Sequence, residues 1–285
     1  TAGAARGRSA RDRRNFMLSP LALLASDAAA LGCCLAVLAG YAAFPSARTF
    51  STKLCVYFAC AVAVGLPGWL FERDRDVAVA CDLRAAVDEF STLSSLLWAT
   101  ASLLNTYLVT CRGSRVAWRY AAPYHLVCWG LPAMSVLAAG AAGMARAAGA
   151  GDADRPALGG MAAASRPTLH AALYFGPLAL ALVAMLAMLT MVCRQLASAR
   201  PAAPAALHSA ARRKQLQLCA FLCALIALAL PHLVARALVA LGALGVTPPS
   251  HLDELAGAAR ACIEVAGVAH GVLPLVLFLS QGPVV

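Results

Sequence analysis

Charged residues are scarce in this chain. They make up 13% of its 285 residues, whereas soluble domains typically contain about 25%. Hydrophobic residues make up 61%, so too few polar side chains remain to cover a soluble particle of this size, and a protein of the lipid bilayer is predicted. The formal net charge is +10, but the basic residues stand in short clusters between apolar runs. No basic face or aromatic stacking platform accompanies them, which excludes nucleic acid as a partner.

Lysine is nearly absent, and so are catalytic motifs. The two lysines, Lys53 and Lys214, fall at predicted loop boundaries, whereas a retinal-binding opsin needs a Schiff-base lysine within its seventh span. No His-Glu-x-x-His motif and no Gly-x-Ser-x-Gly motif with a histidine partner occurs, so no enzymatic activity is predicted. Most of the 11 cysteines fall inside apolar stretches, where a thiol behaves as a small hydrophobe. No metal site and no cofactor is predicted.

Apolar stretches long enough to cross a bilayer as helices recur along the chain. A polar N-terminal tail at residues 1–16 precedes them, and residues 17–285 are predicted to form one all-α domain, a bundle of seven transmembrane helices. The predicted spans have the approximate bounds 17–44, 54–71, 90–111, 120–144, 169–193, 215–241 and 255–279. The third span carries no charge from Phe90 to Cys111.

The loops between these spans divide by charge. The loops after the first, third and fifth spans hold ten Lys or Arg and no acid, whereas the other three hold six Arg and ten Asp or Glu. By the positive-inside rule, the first set faces the cytoplasm and the N-terminus is extracellular. The arginine-rich tail at residues 1–16 favours the opposite orientation, but three loops outweigh it.

Seven helices with an extracellular N-terminus are typical of receptors. A secondary transporter usually shows repeated halves and broken helices. Here the first three spans are not similar in sequence to the last three. A receptor is therefore favoured. A seven-span transporter or a lipid-handling membrane protein is the alternative.

Several stretches resemble one receptor family. The run LGCCLAVLAGYAAFPSARTFSTKLCVYFACAV, which contains Arg48, resembles the first hairpin of the slime-mould cyclic AMP receptors. The run SSLLWATASLLNTYLVT, with Trp98 and Tyr107, is similar to their third helix, and YHLVCWGLP, with Trp129 and Pro132, resembles their fourth-helix signature. In the seventh span, HGVLPLVLF is a weaker match.

This resemblance implies a G-protein-coupled receptor of the cyclic-AMP-receptor-like class in the plasma membrane. Such a receptor binds an extracellular small-molecule ligand and activates a heterotrimeric G protein. The resemblance also implies a disulfide between the top of the third helix and the second extracellular loop. Cys81 is the candidate for the first partner, but residues 145–168 contain no cysteine, so the second partner is unknown. Cyclic AMP and a cationic ligand both remain open.

Basic residues of the predicted cytoplasmic loops are candidates for contact with the G protein. The competing interpretation is that they set topology and bind anionic lipid headgroups. The candidates are Arg112, Arg115, Arg119, Arg212, Arg213 and Lys214.

Charged residues within or beside the outer halves of the spans are candidates for a ligand pocket. A charge inside a span is costly unless it is paired or hydrated, which makes it a candidate functional site. A structural salt bridge between helices is the competing interpretation, and for the histidine it is core packing. The candidates are Asp88, Glu89, Arg236, Arg260, Glu264 and His270.

Overall fold

The computed structural model describes residues 20–66, 78–112, 117–149, 175–198 and 272–279, together with residues 216, 220, 223, 224, 226, 230 and 234. Every regular element in this part of the chain is a helix. The prediction of an all-α protein is confirmed for these residues. The number of spans and the side on which the N-terminus lies stay predictions.

The described elements follow one another as helices joined by short turns. The α-helices are α1 (Pro20–Ala43), α2 (Phe50–Gly65), α3 (Ala78–Arg112), α4 (Ala121–His125), α5 (Leu131–Gly149) and α6 (Gly176–Ser198). Two 3-10 turns, Pro45–Ala47 and Ala117–Tyr120, precede α2 and α4. A π-helical turn, Leu126–Gly130, joins α4 directly to α5. Residues 272–279 are also helical.

Helix α2 begins at Phe50, earlier than the predicted residue 54, because a capping box starts it. The Thr49 side chain accepts a hydrogen bond from the backbone N–H of Thr52 at 3.2 Å, and the Thr52 hydroxyl accepts one from the backbone N–H of Thr49 at 3.0 Å. Two backbone donors that a helix start leaves without partners are thereby satisfied. Lys53 consequently lies in the first turn of α2, not in a loop.

Helix α3 begins at Ala78, well before the predicted start at Phe90. The prediction placed the acidic segment that ends with Asp88 and Glu89 in a loop; from Ala78 onward that segment is helical instead. With 35 residues, α3 is about 52 Å long, whereas the hydrocarbon core of a bilayer is about 30 Å thick. Only the uncharged part of α3 needs to lie within a membrane.

The core of the described bundle is built around α3, which packs against α2, the π turn, α5 and α6. Near one end, Ser91 Oγ on α3 donates to the Ala61 carbonyl on α2 at 2.7 Å. Near the other end, Asn105 Nδ2 on α3 donates to Ser51 Oγ on α2 at 2.8 Å. Since the residue number rises on one helix as it falls on the other, the two helices are antiparallel. The largest fully buried apolar side chains are Trp98, Phe58, Leu54, Leu93, Leu103 and Met185.

Two helical stretches in the described part of the chain are long and apolar enough to cross a membrane: Ala121–Ala141 and Gly176–Arg194. Large apolar side chains on both stretches are exposed, among them Leu126 (73%), Leu137 (66%) and Leu180 (70%). Such outward-facing apolar side chains are unusual on a soluble monomer when they form a continuous face. The two helices are consistent with a membrane protein.

Candidate functional site

The π turn at Leu126–Gly130 lies just before Pro132. Proline has no backbone N–H, and its ring clashes with the carbonyl four residues earlier in an α-helix. That carbonyl belongs to Cys128, so the regular bond from residue 132 to Cys128 cannot form. A π turn is one of the usual ways in which a helix absorbs such a local disruption, and these turns are frequent at functional sites.

Ser94 on α3 is a donor to this same carbonyl of Cys128. Its hydroxyl donates to the Cys128 carbonyl at 2.8 Å. Both residues are buried, Ser94 at 0% exposure and Cys128 at 2%. The hydrogen bond therefore lies in a low-dielectric interior, where an unpaired carbonyl would be costly. It joins the middle of α3 to the π turn.

An aromatic cluster surrounds this joint. Trp98 on α3 is fully buried, and its ring centroid lies 4.7 Å from that of Tyr57, 5.1 Å from His125 and 5.6 Å from Trp129. His125 also meets Tyr57 edge-on at 4.6 Å, and Phe90 stacks on Trp129 at 5.9 Å with 16° between the rings. Rings in such tilted or offset arrangements stabilise one another beyond the area that they bury. The cluster joins α2, α3, α4 and the π turn.

Two polar atoms of this region have no hydrogen-bond partner among the described residues: Trp98 Nε1 and the Tyr124 hydroxyl. A third, Asn105 Oδ1, lies farther along α3. Buried polar atoms are usually paired, so these three are exceptions within the described core.

The family-signature residues predicted from the sequence lie where helices pack against one another or where a helix ends or changes its register. Trp98 and Trp129 belong to the aromatic cluster, and the buried Pro132 accompanies the π turn. The Tyr107 hydroxyl on α3 donates to Met191 Sδ on α6 at 3.4 Å. Arg48 donates from Nη2 to the Ala42 carbonyl at 2.7 Å and from Nε to the Tyr41 carbonyl at 3.2 Å. Arg48 therefore caps the last turn of α1.

The predicted pocket residues are only partly described. Asp88 is exposed on α3, and Glu89 beside it is buried at 7% exposure. Glu89 directly precedes Phe90, which stacks on Trp129. The part of α3 that carries Asp88 and Glu89 therefore adjoins the aromatic cluster. The other predicted pocket residues, Arg236, Arg260, Glu264 and His270, lie outside the described residues.

Only two of the residues predicted to contact the G protein lie in the described part of the chain. Arg119 is exposed in the 3-10 turn before α4, and Arg112 is the last residue of α3. Arg115, Arg212, Arg213 and Lys214 lie outside the described residues. Cys81 lies in α3, but its side chain and the disulfide hypothesis that rests on it are also outside the described part.

Sequence reasoning missed Ser94, Asn105 and the π turn. The signal for Ser94 was indirect: a proline inside a span predicts a carbonyl without a donor, and a serine on a neighbouring helix is a suitable donor. The sequence does not indicate which of the serines on α3 faces that carbonyl. Asn105 had a clearer signal, because it is the one amide side chain in the uncharged stretch from Phe90 to Cys111.

A comparison with protein families identifies a relationship to a receptor family. The family model described as slime mold cyclic AMP receptor matches residues 11–196, a range that includes α1 to α5, the π turn and most of α6. No curated protein matches the chain significantly.

Proposed function

The chain belongs to the slime mold cyclic AMP receptor family, and on that basis we propose that it is a G-protein-coupled receptor. In this proposal the receptor has seven transmembrane helices, an extracellular N-terminus and a place in the plasma membrane. It binds an extracellular small-molecule ligand and activates a heterotrimeric G protein, with no catalytic chemistry of its own. The observation that carries the proposal is the family match over residues 11–196.

The charge distribution supports the proposed orientation. The loops after the first, third and fifth predicted spans hold only basic residues, which favours the cytoplasmic side for them. In this orientation the C-terminal end of α3 and the turn with Arg119 face the cytoplasm, and the acidic N-terminal part of α3 extends outside the bilayer. The exposed apolar side chains of Ala121–Ala141 and Gly176–Arg194 then contact lipid.

Helix α3 is suited to connect the two sides of such a receptor. It runs from Asp88 and Glu89 at the proposed pocket to Arg112 at the proposed cytoplasmic face, and it packs against α2, the π turn, α5 and α6. A ligand activates by binding one arrangement of these helices more tightly than the other, which shifts the population toward that arrangement. The remaining pocket residues in this proposal are Arg236, Arg260, Glu264 and His270.

The family description makes cyclic nucleotides the first ligands to test. A cyclic nucleotide carries one phosphodiester charge, for which Arg236 and Arg260 are the proposed counter-charges. The acids Asp88, Glu89 and Glu264 disfavour a second negative charge on the ligand. A cationic ligand is therefore the second class to include.

The proposed coupling surface consists of Arg112, Arg115, Arg119, Arg212, Arg213 and Lys214. We expect the triple variant Arg212→Ala, Arg213→Ala and Lys214→Ala to lose nucleotide exchange on the G protein and to retain ligand binding. The matched control is the double variant Arg73→Ala and Arg75→Ala, which removes basic residues from a predicted extracellular loop and should keep exchange. Unchanged exchange in the triple variant would place the coupling surface elsewhere.

The alternative function, a seven-span transporter, makes a different prediction. A transporter moves a solute into sealed vesicles that contain no G protein. Measured flux into such vesicles, with no effect of the chain on nucleotide exchange, would favour the alternative.

A further inference from the structure

The start of α2 places a lysine at one end of the described bundle. Ser51, in the first turn of α2, is bonded to Asn105 near the C-terminal end of α3, so Lys53 lies at that end as well. The Lys53 side chain is exposed, and its Nζ lies 5.9 Å from the centroid of the Tyr57 ring, one turn farther along α2. The face of an aromatic ring attracts an ammonium at this distance, which directs the charge toward the Tyr57 side of α2.

Arg119 lies at the same end of the bundle. It precedes the fourth helical segment, which comprises α4, the π turn and α5. Along this segment the contacts with α3 run in the opposite direction: Ser94 bonds to Cys128, and Trp98, one turn later, meets His125. The two segments are therefore antiparallel, and the exposed side chain of Arg119 lies toward the C-terminal end of α3.

An aromatic contact brings α2 and the fourth helical segment together near these two cations. The rings of Tyr57 and His125 meet edge-on with their centroids 4.6 Å apart. Lys53 comes one turn before Tyr57, and Arg119 comes six residues before His125, so both cations lie on the same side of this contact. Tyr120, beside Arg119, is 47% exposed, and tyrosine is enriched at the level of lipid headgroups.

The side of α2 that carries Lys53 is otherwise apolar or aromatic. Tyr57, Cys60 and Val64 follow Lys53 at spacings of three or four residues, so the four share one side of the helix. Val64 is 44% exposed, and on the fourth helical segment Leu126 is 73% exposed. A surface with cations at one end and apolar side chains beyond them matches a phospholipid, in which a polar headgroup is followed by acyl chains.

The acids of the described residues lie toward the opposite end of the bundle. Asp27 is in the N-terminal third of α1, which a short turn joins to the start of α2, and Asp82, Asp88 and Glu89 are in the N-terminal third of α3. Within the described ranges, no carboxylate is therefore placed to neutralise the two cations. Anionic phospholipids are complementary to basic sites between helices on the cytoplasmic side of a membrane.

We propose that Lys53 and Arg119 bind the headgroup of an anionic phospholipid where the start of α2 adjoins the fourth helical segment. The ammonium and the guanidinium donate to the headgroup phosphate, and the acyl chains lie along the apolar side of α2. Lys53 favours a lipid over a soluble protein as the partner, because its side of α2 continues as apolar surface. The lipid belongs to the cytoplasmic leaflet in the proposed orientation of the chain.

Native mass spectrometry of the full-length chain in detergent micelles measures this binding. The chain is titrated with phosphatidylinositol 4,5-bisphosphate and, separately, with phosphatidylcholine. We expect the first molecule of the anionic lipid to bind at least about tenfold more tightly than phosphatidylcholine. Lys53→Gln and Arg119→Gln should each weaken binding of the anionic lipid by about fivefold. Lys53→Arg should retain most of the affinity, because it keeps the charge.

The matched control is Arg84→Gln. Arg84 is also an exposed cation, but it lies in the N-terminal part of α3, at the opposite end of the bundle, so its loss should leave the affinity unchanged. A second control adds inositol 1,4,5-trisphosphate, which carries phosphates but no acyl chains. At the concentration of the lipid it should not displace the lipid.

Four results would overturn the site. They are equal affinity for the two lipids, an affinity in Lys53→Gln and Arg119→Gln equal to that of the parent chain, an equal loss in Arg84→Gln, and displacement of the lipid by inositol 1,4,5-trisphosphate. The third result would mean diffuse attraction to any cation, and the fourth a site for a free phosphate compound. The measurement contains no G protein and no receptor ligand, so its outcome is independent of the proposed function.

Discussion

Asn105 on α3 and Ser51 on α2 are joined by a hydrogen bond of 2.8 Å from the amide Nδ2 to the hydroxyl Oγ. Asn105 is fully buried, and its Oδ1 has no partner among the described residues. Together with the bond from Ser91 to Ala61, this pair fixes how α2 lies along α3. The bond between Asn105 and Ser51 lies closer than the bond between Ser91 and Ala61 to the end of α3 that is proposed to face the cytoplasm.

Replacing Asn105 with Ala should destabilise the protein by about 1–3 kcal/mol, because a buried side chain and its bond to Ser51 are lost. The measurement is thermal unfolding in detergent micelles. The control is Thr100→Ala, which removes a hydroxyl that bonds only within its own helix and should cost less than about 1 kcal/mol. Equal losses of stability in the two variants would show that the bond between Asn105 and Ser51 stabilises the protein no more than a bond within one helix.

Gly65 on α2 and Ser91 on α3 lie close together. A Cβ built on Gly65 would lie 2.7 Å from Ser91 Cβ and closer still to Ser91 Oγ, a separation at which one helix must move. We expect Gly65→Ala to lower stability by about 1–3 kcal/mol through overpacking. Gly32→Ala is the control, since no atom of the described residues lies within 4 Å of its added methyl, and it should gain about 0.5–1 kcal/mol from helix propensity. Melting temperatures that shift in the same direction would contradict this packing.

Arg48 holds the end of α1 through the Tyr41 and Ala42 carbonyls. Arg48→Ala should cost about 0.5–1.5 kcal/mol of stability. Arg48→Lys should recover only part of this, because an ammonium does not reproduce the two-point geometry of the guanidinium. Full recovery in the lysine variant, measured by thermal unfolding, would assign the effect to charge alone.

Much of the core was predictable from the sequence. The uncharged stretch from Phe90 to Cys111 indicated a central helix, and Trp98, Trp129 and Pro132 were identified as signature residues. The structure places Trp98 at the centre of the aromatic cluster and Pro132 beside the π turn. Long apolar runs determine where a helix crosses a bilayer, so this part of the fold follows from composition.

Other features were not predictable, for physical reasons. The helical start of α3 at Ala78 was missed because Asp82, Arg84, Asp88 and Glu89 interrupt the apolar residues there, and this density of charge indicated a loop. The start of α2 depends on the reciprocal bonds of Thr49 and Thr52, a short-range pattern inside what looked like a loop. The role of Ser94 depends on which helix face packs against Cys128, and only the three-dimensional arrangement gives that.

The orientation of the chain is testable with single introduced cysteines. We expect Asp154→Cys to react with a membrane-impermeant maleimide on intact cells, because its loop is predicted to be extracellular. Arg115→Cys should react only after the cells are permeabilised. The parent chain, which has its native cysteines, gives the background. The reverse labelling pattern would show that the topology is opposite to the proposed one and that the proposed coupling surface is extracellular.

Nucleotide exchange tests the central claim most directly. The full chain is reconstituted into lipid nanodiscs with a purified heterotrimeric G protein, and binding of a GTP analogue is followed while cyclic nucleotides and then cationic ligands are added. The account predicts that at least one ligand speeds exchange by about fivefold or more, and that the variant Arg212→Ala, Arg213→Ala and Lys214→Ala abolishes this effect. Exchange at the same rate with and without the chain, in preparations that bind the ligand, would contradict it.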